Sequence, residues 1–203
     1  MSESTASVAV FNPVPASDAP VPQTPLHHTA RAVGAGKAHF RELDLTGLLI
    51  LRGDASDAAF GEAVQQVFGC ALPERLGFTS AGDNSVLWMS PDEWWILCPH
   101  DQVYDLEVKF RAQYNGHCSV ANNTGGNTLI QLGGPEAVNV LRKSMPYDFS
   151  DSHFPVGKVI TSVFAKTQAV VRRLGEEEWQ IIARRSFADY IWRWLEDASR
   201  EYR

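Results

Sequence analysis

The residues best suited to binding a phosphate are the glycines and the lysine of VGAGKAHF (33–40). A Walker-type loop needs a glycine five residues before its second glycine, and Ser or Thr after the lysine. Here Arg31 stands five residues before Gly36, and Ala38 follows Lys37. A dinucleotide fingerprint also needs a third glycine and a preceding strand, which this segment lacks. We therefore interpret it as a flexible hinge between an N-terminal arm and a folded domain.

Metal ligands are the next chemistry to consider. The candidate side chains are His27, His28, His39, His100, His117, His153, Cys70, Cys98 and Cys118. None of the histidines has another His or a Cys at the spacing that places two ligands on one helix face. The cysteines are odd in number and widely spaced, which indicates reduced thiols in a cytoplasmic protein. The sequence predicts no metal site.

Acid–base and nucleophilic chemistry also find no motif in the chain. There is no Gly-x-Ser-x-Gly segment, which would mark a serine nucleophile. The acidic clusters at 92–93 and 176–178 fall in predicted hairpin turns, where carboxylates are usually solvated. The residues alone therefore assign no catalytic, cofactor-binding or metal-binding role.

Composition restricts the partners. The 203 residues carry a formal net charge of −6, and 44% of them are hydrophobic. An acidic balance argues against nucleic acid or an anionic membrane as partner, since both require a basic surface. No segment approaches the roughly 20 apolar residues of a membrane span, and the N-terminus lacks the pattern of a signal peptide. We expect a cytoplasmic globular protein.

The chain divides into two regions. Residues 1–37 contain five prolines among Ala, Ser and Val, which predicts a mobile arm that orders against a partner. Residues 38–203 are expected to form one compact domain, made of two similar halves at about 38–116 and 117–203.

The first half predicts a strand, a helix, a hairpin and a second helix. The segments are 48–53 for the strand, 54–69 for the helix, 86–98 for the hairpin and 101–114 for the second helix. Asp54 is a plausible N-cap of the first helix, and Gly69 is its expected C-terminal stop.

The second half repeats this plan. Strands are predicted at 128–134 and 158–166, helices at 135–143 and from Ser186, and a hairpin at 168–184. Ser186 and Asp189 have the spacing of a capping box.

Two details align between the halves. Gly53 corresponds to Gly134, an offset of 134 − 53 = 81, and Trp94 corresponds to Trp179, an offset of 179 − 94 = 85. We expect each tryptophan to anchor its hairpin onto a helix. The predicted fold is α+β, with duplicated β-α-β-β-α units and mostly antiparallel sheets covered by helices.

The C-terminal helix has one aromatic residue too many. A stripe at helical spacing consists of Phe187, Tyr190, Ile191, Trp194, Leu195 and Ala198. Trp192 points away from that stripe. It is therefore either covered by a loop of the same chain or exposed as an anchor for another subunit, and we take the second as the hypothesis to test.

Four segments together resemble the gamma subunits of heterotetrameric sarcosine oxidases. They are LRGDASDAAFGEAVQQVFG (51–69), LWMSPDEWWILCP (87–99), LIQLGGPEAVNVLRKSMPYDF (129–149) and RRSFADYIWRWLEDA (184–198). The segment TPLHH (24–28) is similar to the start of that subunit, so Leu26, His27 and His28 join Trp192 as candidate contacts with a partner. The strand-Gly-Pro-helix unit alone is also similar to the wider aminomethyltransferase group, which includes the glycine-cleavage T-protein.

This resemblance implies a complex of four chains, alpha to delta, that oxidatively demethylates sarcosine to glycine. Oxygen is the acceptor, hydrogen peroxide is a product, and the one-carbon unit can pass to tetrahydrofolate to give 5,10-methylenetetrahydrofolate. FAD, FMN, NAD, tetrahydrofolate and zinc are expected on the partner subunits, and none on this chain. The gamma chain is expected to be non-catalytic and to pack mainly against alpha.

Two alternatives stay open. Related N-methylglutamate dehydrogenases carry a similar gamma chain, and a free-standing folate-binding aminomethyltransferase-like protein would share the fold. The T-protein group offers an acidic residue in a region where this chain has neither Asp nor Glu between Glu107 and Glu136. That departure argues against folate binding by this chain.

Overall fold

The computed structural model describes residues 21–29, 32–34 and 36–203. In this part of the chain the strands are β1 Ala32–Val33, β2 His39–Glu42, β3 Thr46–Arg52, β4 Phe78–Ala81, β5 Asn84–Ser90, β6 Glu93–Pro99, β7 Ser119–Asn122, β8 Asn127–Gly133, β9 Val159–Phe164, β10 Thr167–Gly175 and β11 Glu178–Arg184. The helices are α1 Ala58–Phe68, α2 Val103–Gln113, α3 Ala137–Ser144 and α4 Ala188–Ala198.

The strands form two sheets whose described pairs are all antiparallel. The six-stranded sheet has the order β1-β2-β8-β11-β10-β9, and the five-stranded sheet has the order β4-β5-β6-β3-β7. Strand β2 pairs with β8, and β7 pairs with β3. Each sheet therefore takes one strand from the other predicted half, which ties the two halves into one unit.

Three apolar clusters define the layers. One lies between the six-stranded sheet and helices α3 and α4, and a second lies between the five-stranded sheet and helices α1 and α2. The third is formed by the sheet faces that pack on each other. The predicted α+β class, with antiparallel sheets covered by helices, is confirmed.

Helix α1 shows how local sequence sets one element. Its apolar face turns Phe60, Val64 and Phe68 inward, at the spacing of one side of a helix. Gly69 ends the helix at φ 75°, as predicted, because glycine adopts a left-handed conformation without steric cost. The N-cap was predicted wrongly: Asp57 accepts a hydrogen bond from the Ala59 amide at 2.9 Å.

The two matched glycines serve different needs. A Cβ on Gly53 would lie 2.4 Å from the Phe60 ring, so that glycine admits an aromatic side chain. Gly134 has φ +103°, and a Cβ there would lie 2.4 Å from the carbonyl oxygen of Lys37. The matched tryptophans are both core residues, each 1% exposed.

The predicted arm and hinge are part of the fold where the structure describes them. Leu26 is fully buried in the cluster under α3 and α4. The Ala38 amide donates to the Tyr202 carbonyl at 3.1 Å, and the Glu136 amide donates to the Lys37 carbonyl at 2.9 Å. The boundary predicted at residue 37 is therefore too late, because residues 24–29 already pack in the domain. The prediction for residues 1–20 lies outside the described part of the chain.

Candidate functional site

The side chain of Trp192 is buried in the core of this chain. It is 3% exposed, and its ring meets Phe40 of β2 edge to face, with centroids 4.8 Å apart. The predicted partner anchor is thus a core residue, because β2 covers the flank of α4 that the sequence pattern left open. The other flank is the more open one: Phe187 is 39% exposed, and Trp194 is half-buried with its indole N–H donating to Ser144 Oγ at 3.0 Å.

The N-terminal segment is held by a buried carboxylate. Glu42 is 5% exposed. It accepts hydrogen bonds from the Thr24 hydroxyl at 2.6 Å, the Thr128 hydroxyl at 2.7 Å and the Leu26 amide at 3.3 Å. Leu26, predicted as a partner contact, is therefore also a core residue.

The two histidines of this segment differ from Leu26. His27 and His28 are both exposed. His28 Nε2 lies 3.2 Å from Asp189 Oδ1, at the start of α4. These two side chains are available to a partner, and their predicted contact role stays a prediction.

A cleft of about 410 Å³ opens between the two sheets. It is lined by Ile50, Met89, Trp95, Asn123, Gly126, Asn127, Thr161, Gln168, Ala169, Val170, Ile182 and Arg184. The floor is apolar and continues the core between the sheets, while the amides and Arg184 lie toward the rim. Sequence reasoning missed this site, since its residues are spread over more than 130 positions of the chain.

The polar rim is shaped by the Asn- and Gly-rich segment before β8. Asn122 Oδ1 accepts from the Thr124 amide at 3.0 Å, and the Thr124 hydroxyl accepts from the Leu48 amide at 3.1 Å. The Gly126 amide closes the turn on the Asn123 carbonyl at 3.0 Å. This turn is a side-chain-stabilised loop of the kind that Asn favours. The turn therefore explains why this segment is rich in Asn and Gly.

The cleft has room and polar groups for a small ligand, but few of its side chains could transfer a proton. Its described lining contains amides, one hydroxyl, an indole and a guanidinium, and no carboxylate, imidazole or thiol. General acid–base catalysis near neutral pH uses a group that titrates in that range. Glu93 of the same strand fixes the position of the Trp95 ring in the cleft, because the indole N–H donates to Glu93 Oε1 at 3.2 Å.

A second cavity, of about 580 Å³, lies at the N-terminal end of α1. Its lining includes Asp54, Asp57 and Asp92. Hydrogen bonds from Ser56 lower the pKa of Asp54, and one from Ser90 lowers the pKa of Asp92. These carboxylates serve turns and a helix cap.

One of these contacts gives a titration prediction. The Tyr114 hydroxyl donates to Asp57 Oδ2 at 2.7 Å, and this hydrogen bond, aided by desolvation, raises the pKa of Tyr114 to about 12. A raised phenol pKa means that the contact stabilises the fold below pH 10 and is lost as the pH rises toward 12. In an alkaline titration followed by tyrosinate absorbance, Tyr114→Phe should remove a transition near pH 12. Loss of a transition near pH 10 instead would contradict the contact.

The described residues offer neither a metal site nor a membrane-spanning helix. Residues 21–29, 32–34 and 36–203 contain no group of three or more His, Cys, Asp or Glu side chains arranged to hold a metal ion. Among the helices of the described part, none is long and apolar enough to cross a membrane.

One family model and several curated relatives match most of this chain. The family model described as sarcosine oxidase, gamma subunit family, matches residues 52–201. The chain is 31% identical over 191 residues to the sarcosine oxidase subunit gamma of Corynebacterium sp. (strain P-1), covering 90% of this chain and 92% of that protein. It is 32% identical over 192 residues to the same subunit of Corynebacterium sp. (strain U-96), covering 89% and 91%.

Solved structures show the same relationship. A chain of the heterotetrameric sarcosine oxidase from Corynebacterium sp. U-96, in complex with pyrrole 2-carboxylate, matches with a TM-score of 0.79 at 28% identity, over 89% of this chain and 95% of that chain. Aminomethyltransferase T of the Bartonella henselae glycine cleavage system matches with a TM-score of 0.58 at 14% identity, over 81% of this chain and 47% of that chain. That second likeness concerns the fold alone. The resemblance drawn from the sequence segments is confirmed, and the chain belongs to the sarcosine oxidase gamma subunit family.

Proposed function

We propose that this chain is the gamma subunit of a heterotetrameric sarcosine oxidase and that it supports the assembly without a reaction centre of its own. The observation that carries the proposal is the match over nearly the full length of both chains to a chain of a heterotetrameric sarcosine oxidase. The alpha subunit is the main partner in this proposal, beside beta and delta.

The reaction belongs to the assembly in this proposal. The other chains would hold FAD, FMN, NAD, tetrahydrofolate and zinc, and the complex would oxidise sarcosine to glycine with release of hydrogen peroxide. The cleft of this chain supports that division, because its described lining lacks a group that takes up or releases a proton near neutral pH. Cys70, Cys98 and Cys118 are free thiols, which supports a reducing, cytoplasmic location for the complex.

Folate binding by this chain itself must be considered, since an aminomethyltransferase has a related fold. The resemblance implies an acidic residue near a folate in such transferases. The described lining of this cleft contains none, and its cation is Arg184. The residues present do not fit a folate-dependent transferase, and no transfer step is assigned to this chain.

The lone chain should be colourless and should not consume oxygen with sarcosine. Absorption between 350 and 500 nm and an oxygen electrode check this on the purified chain, with the co-expressed complex as the positive control. A flavin spectrum at one equivalent per chain would overturn the proposal.

Tryptophan fluorescence separates the folate alternative. Trp95 lines the cleft, so a folate bound there should quench its emission. We expect no saturable quenching by tetrahydrofolate at micromolar concentration. Saturable quenching that disappears in Trp95→Phe would instead favour a folate-binding protein.

A further inference from the structure

Helix α2 carries apolar side chains on two opposite faces. One face packs inward through Val103, Leu106 and Phe110. The other face holds Tyr104 and Val108, which are 70% and 47% exposed. These two residues are four apart, so they are neighbours on the helix surface. At about 100° per residue, Val108 points roughly opposite to the buried face.

The exposed row continues for one more turn. Ala112 stands four residues after Val108 and is also exposed. We call Tyr104, Val108 and Ala112 the α2 stripe, which is about 12 Å long at about 1.5 Å per residue. Polar side chains usually occupy the solvent face of a helix, and valine is a weaker helix former than they are. A valine at the centre of that face is therefore explained best by an apolar segment that covers it.

The described part of the chain begins close to the start of this helix. Val21 and His100 line the same cavity of about 380 Å³. Tyr104 follows His100 by four residues, which span at most about 15 Å, and Val108 lies about 6 Å further along the helix. The eleven residue steps from Val10 to Val21 reach up to about 36 Å in an extended chain. The segment before Val21 is therefore long enough to lie along the α2 stripe.

The sequence of that segment suits an apolar row. Residues 4–17, STASVAVFNPVPAS, contain no charged side chain, and Val8 and Val10 stand two residues apart. Pro13 and Pro15 favour an extended backbone over a helix. In an extended chain, residues two apart share one face and are about 6.6 Å from each other. That spacing matches the rise of about 6 Å between residues four apart on a helix.

We propose that residues 8–14 of this chain lie in an extended conformation along the α2 stripe. Val8 and Val10 then pack on the first two side chains of the stripe. The inference does not depend on the proposed function, because it concerns the lone chain.

The size of the stripe favours a tethered segment over another molecule. The stripe is one side chain wide, whereas a stable interface between two proteins buries about 800 Å² on each partner. A segment on a short linker has a local concentration on the order of millimolar. Few apolar contacts are therefore enough to hold residues 8–14 in place.

Methyl NMR of the lone chain tests the proposal, with a chain that begins at Val21 as the comparison. We expect the Val108 methyl resonances to move when residues 1–20 are removed. In the full chain, nuclear Overhauser contacts should join the methyl groups of Val108 and Val10. Val163 is the matched control, because it is also 47% exposed but lies on β9 of the other sheet. Its methyl resonances should not move.

Cleavage by chymotrypsin gives a second measurement, because Phe11 is the aromatic residue of the segment. Val108→Asp should increase the rate of cleavage after Phe11 by roughly fivefold or more, since cleavage follows the population of the undocked segment. Val163→Asp should leave that rate at the value of the wild type.

Unmoved Val108 resonances, or equal cleavage rates in all three chains, would overturn the proposal. Contacts between Val10 and Val108 that grow with protein concentration would make the occupant a second copy, which also overturns it. Protection of Phe11 that appears only in the co-expressed complex would show that residues 8–14 bind another subunit instead.

Discussion

A chain that begins at residue 30 should lose most of its stability, although the sequence pattern predicted a mobile arm that orders only against a partner. The truncation removes Leu26, which is fully buried, and it takes the Thr24 hydroxyl and the Leu26 amide away from Glu42. Removing a buried leucine side chain costs about 2–5 kcal/mol. Leaving a buried carboxylate short of two donors adds on the order of 1–3 kcal/mol. The sum is a large share of the roughly 5–15 kcal/mol that stabilises a domain.

Thermal unfolding of three chains measures this effect. We compare the full chain, a chain that begins at Val21 and a chain that begins at residue 30. The Val21 chain keeps every described contact of the segment, so it is the matched control. A melting temperature for the shortest chain within about 2 °C of the control, which is less than 1 kcal/mol for this size, would contradict the account. Thr24→Ala should fall between them, since it removes one donor.

Trp192→Ala should destabilise the lone chain far more than Trp194→Ala. Trp192 is 3% exposed and packs on Phe40, whereas Trp194 is half-buried. Truncating a fully buried tryptophan costs about 3–5 kcal/mol, which for a chain of this length lowers the melting temperature by about 10 °C. Truncating Trp194 leaves a smaller void because part of its ring already faces solvent. Ser144 Oγ loses the hydrogen bond that it accepts from the indole, but its hydroxyl still donates to the Val140 carbonyl at 2.6 Å. We expect about half the effect or less.

Circular dichroism melts of both variants check this order. Phe40→Ala belongs in the set, because it removes the other half of the aromatic pair. Its effect and that of Trp192→Ala should be less than additive, as expected for side chains in contact. A Trp192→Ala chain that melts with the wild type would mean that the ring is not packed in the domain.

The burial of Trp192 shows a limit of helical periodicity as a guide to which residues are buried. Of the six residues in the predicted stripe, three are buried, namely Ile191, Leu195 and Ala198, whereas Tyr190 and Trp194 are half-buried and Phe187 is exposed. The pattern assumed that the helix has one covered side. The buried face is wider toward Phe40, because β2, from a distant part of the sequence, packs along that flank. The local sequence of α4 carries no information about the position of β2.

Helix starts were the least predictable local feature. Two aspartates precede α1, and the sequence pattern selected Asp54, whereas Asp57 caps the helix. Asp54 instead accepts from the Ser56 amide at 2.8 Å, which forms the preceding turn. Ser186 makes no capping hydrogen bond, and α4 begins after a short 3₁₀ turn at Arg185–Phe187. Neighbouring polar residues can each act as the N-cap. Which of them caps the helix depends on where the preceding strand ends and how the chain enters the helix.

The predicted halves were matched through two glycines and two tryptophans. Gly53 follows β3 and Gly134 follows β8, while Trp94 and Trp179 lie in the two separate clusters between a sheet and its helices. The cleft was not visible, since Trp95 and Arg184 come from different sheets. Strand β4 was missed because FTSA carries no apolar alternation.

We propose that this chain is a stoichiometric, cofactor-free member of a four-chain oxidase. Native mass spectrometry of the complex purified through a tag on this chain tests it most directly. We expect an assembly with one copy of each of four chains, and gas-phase release of this chain at its sequence mass with no added flavin, nucleotide or metal. A chain that purifies alone from cells that also produce the other three, or one released with a bound cofactor, would contradict the claim.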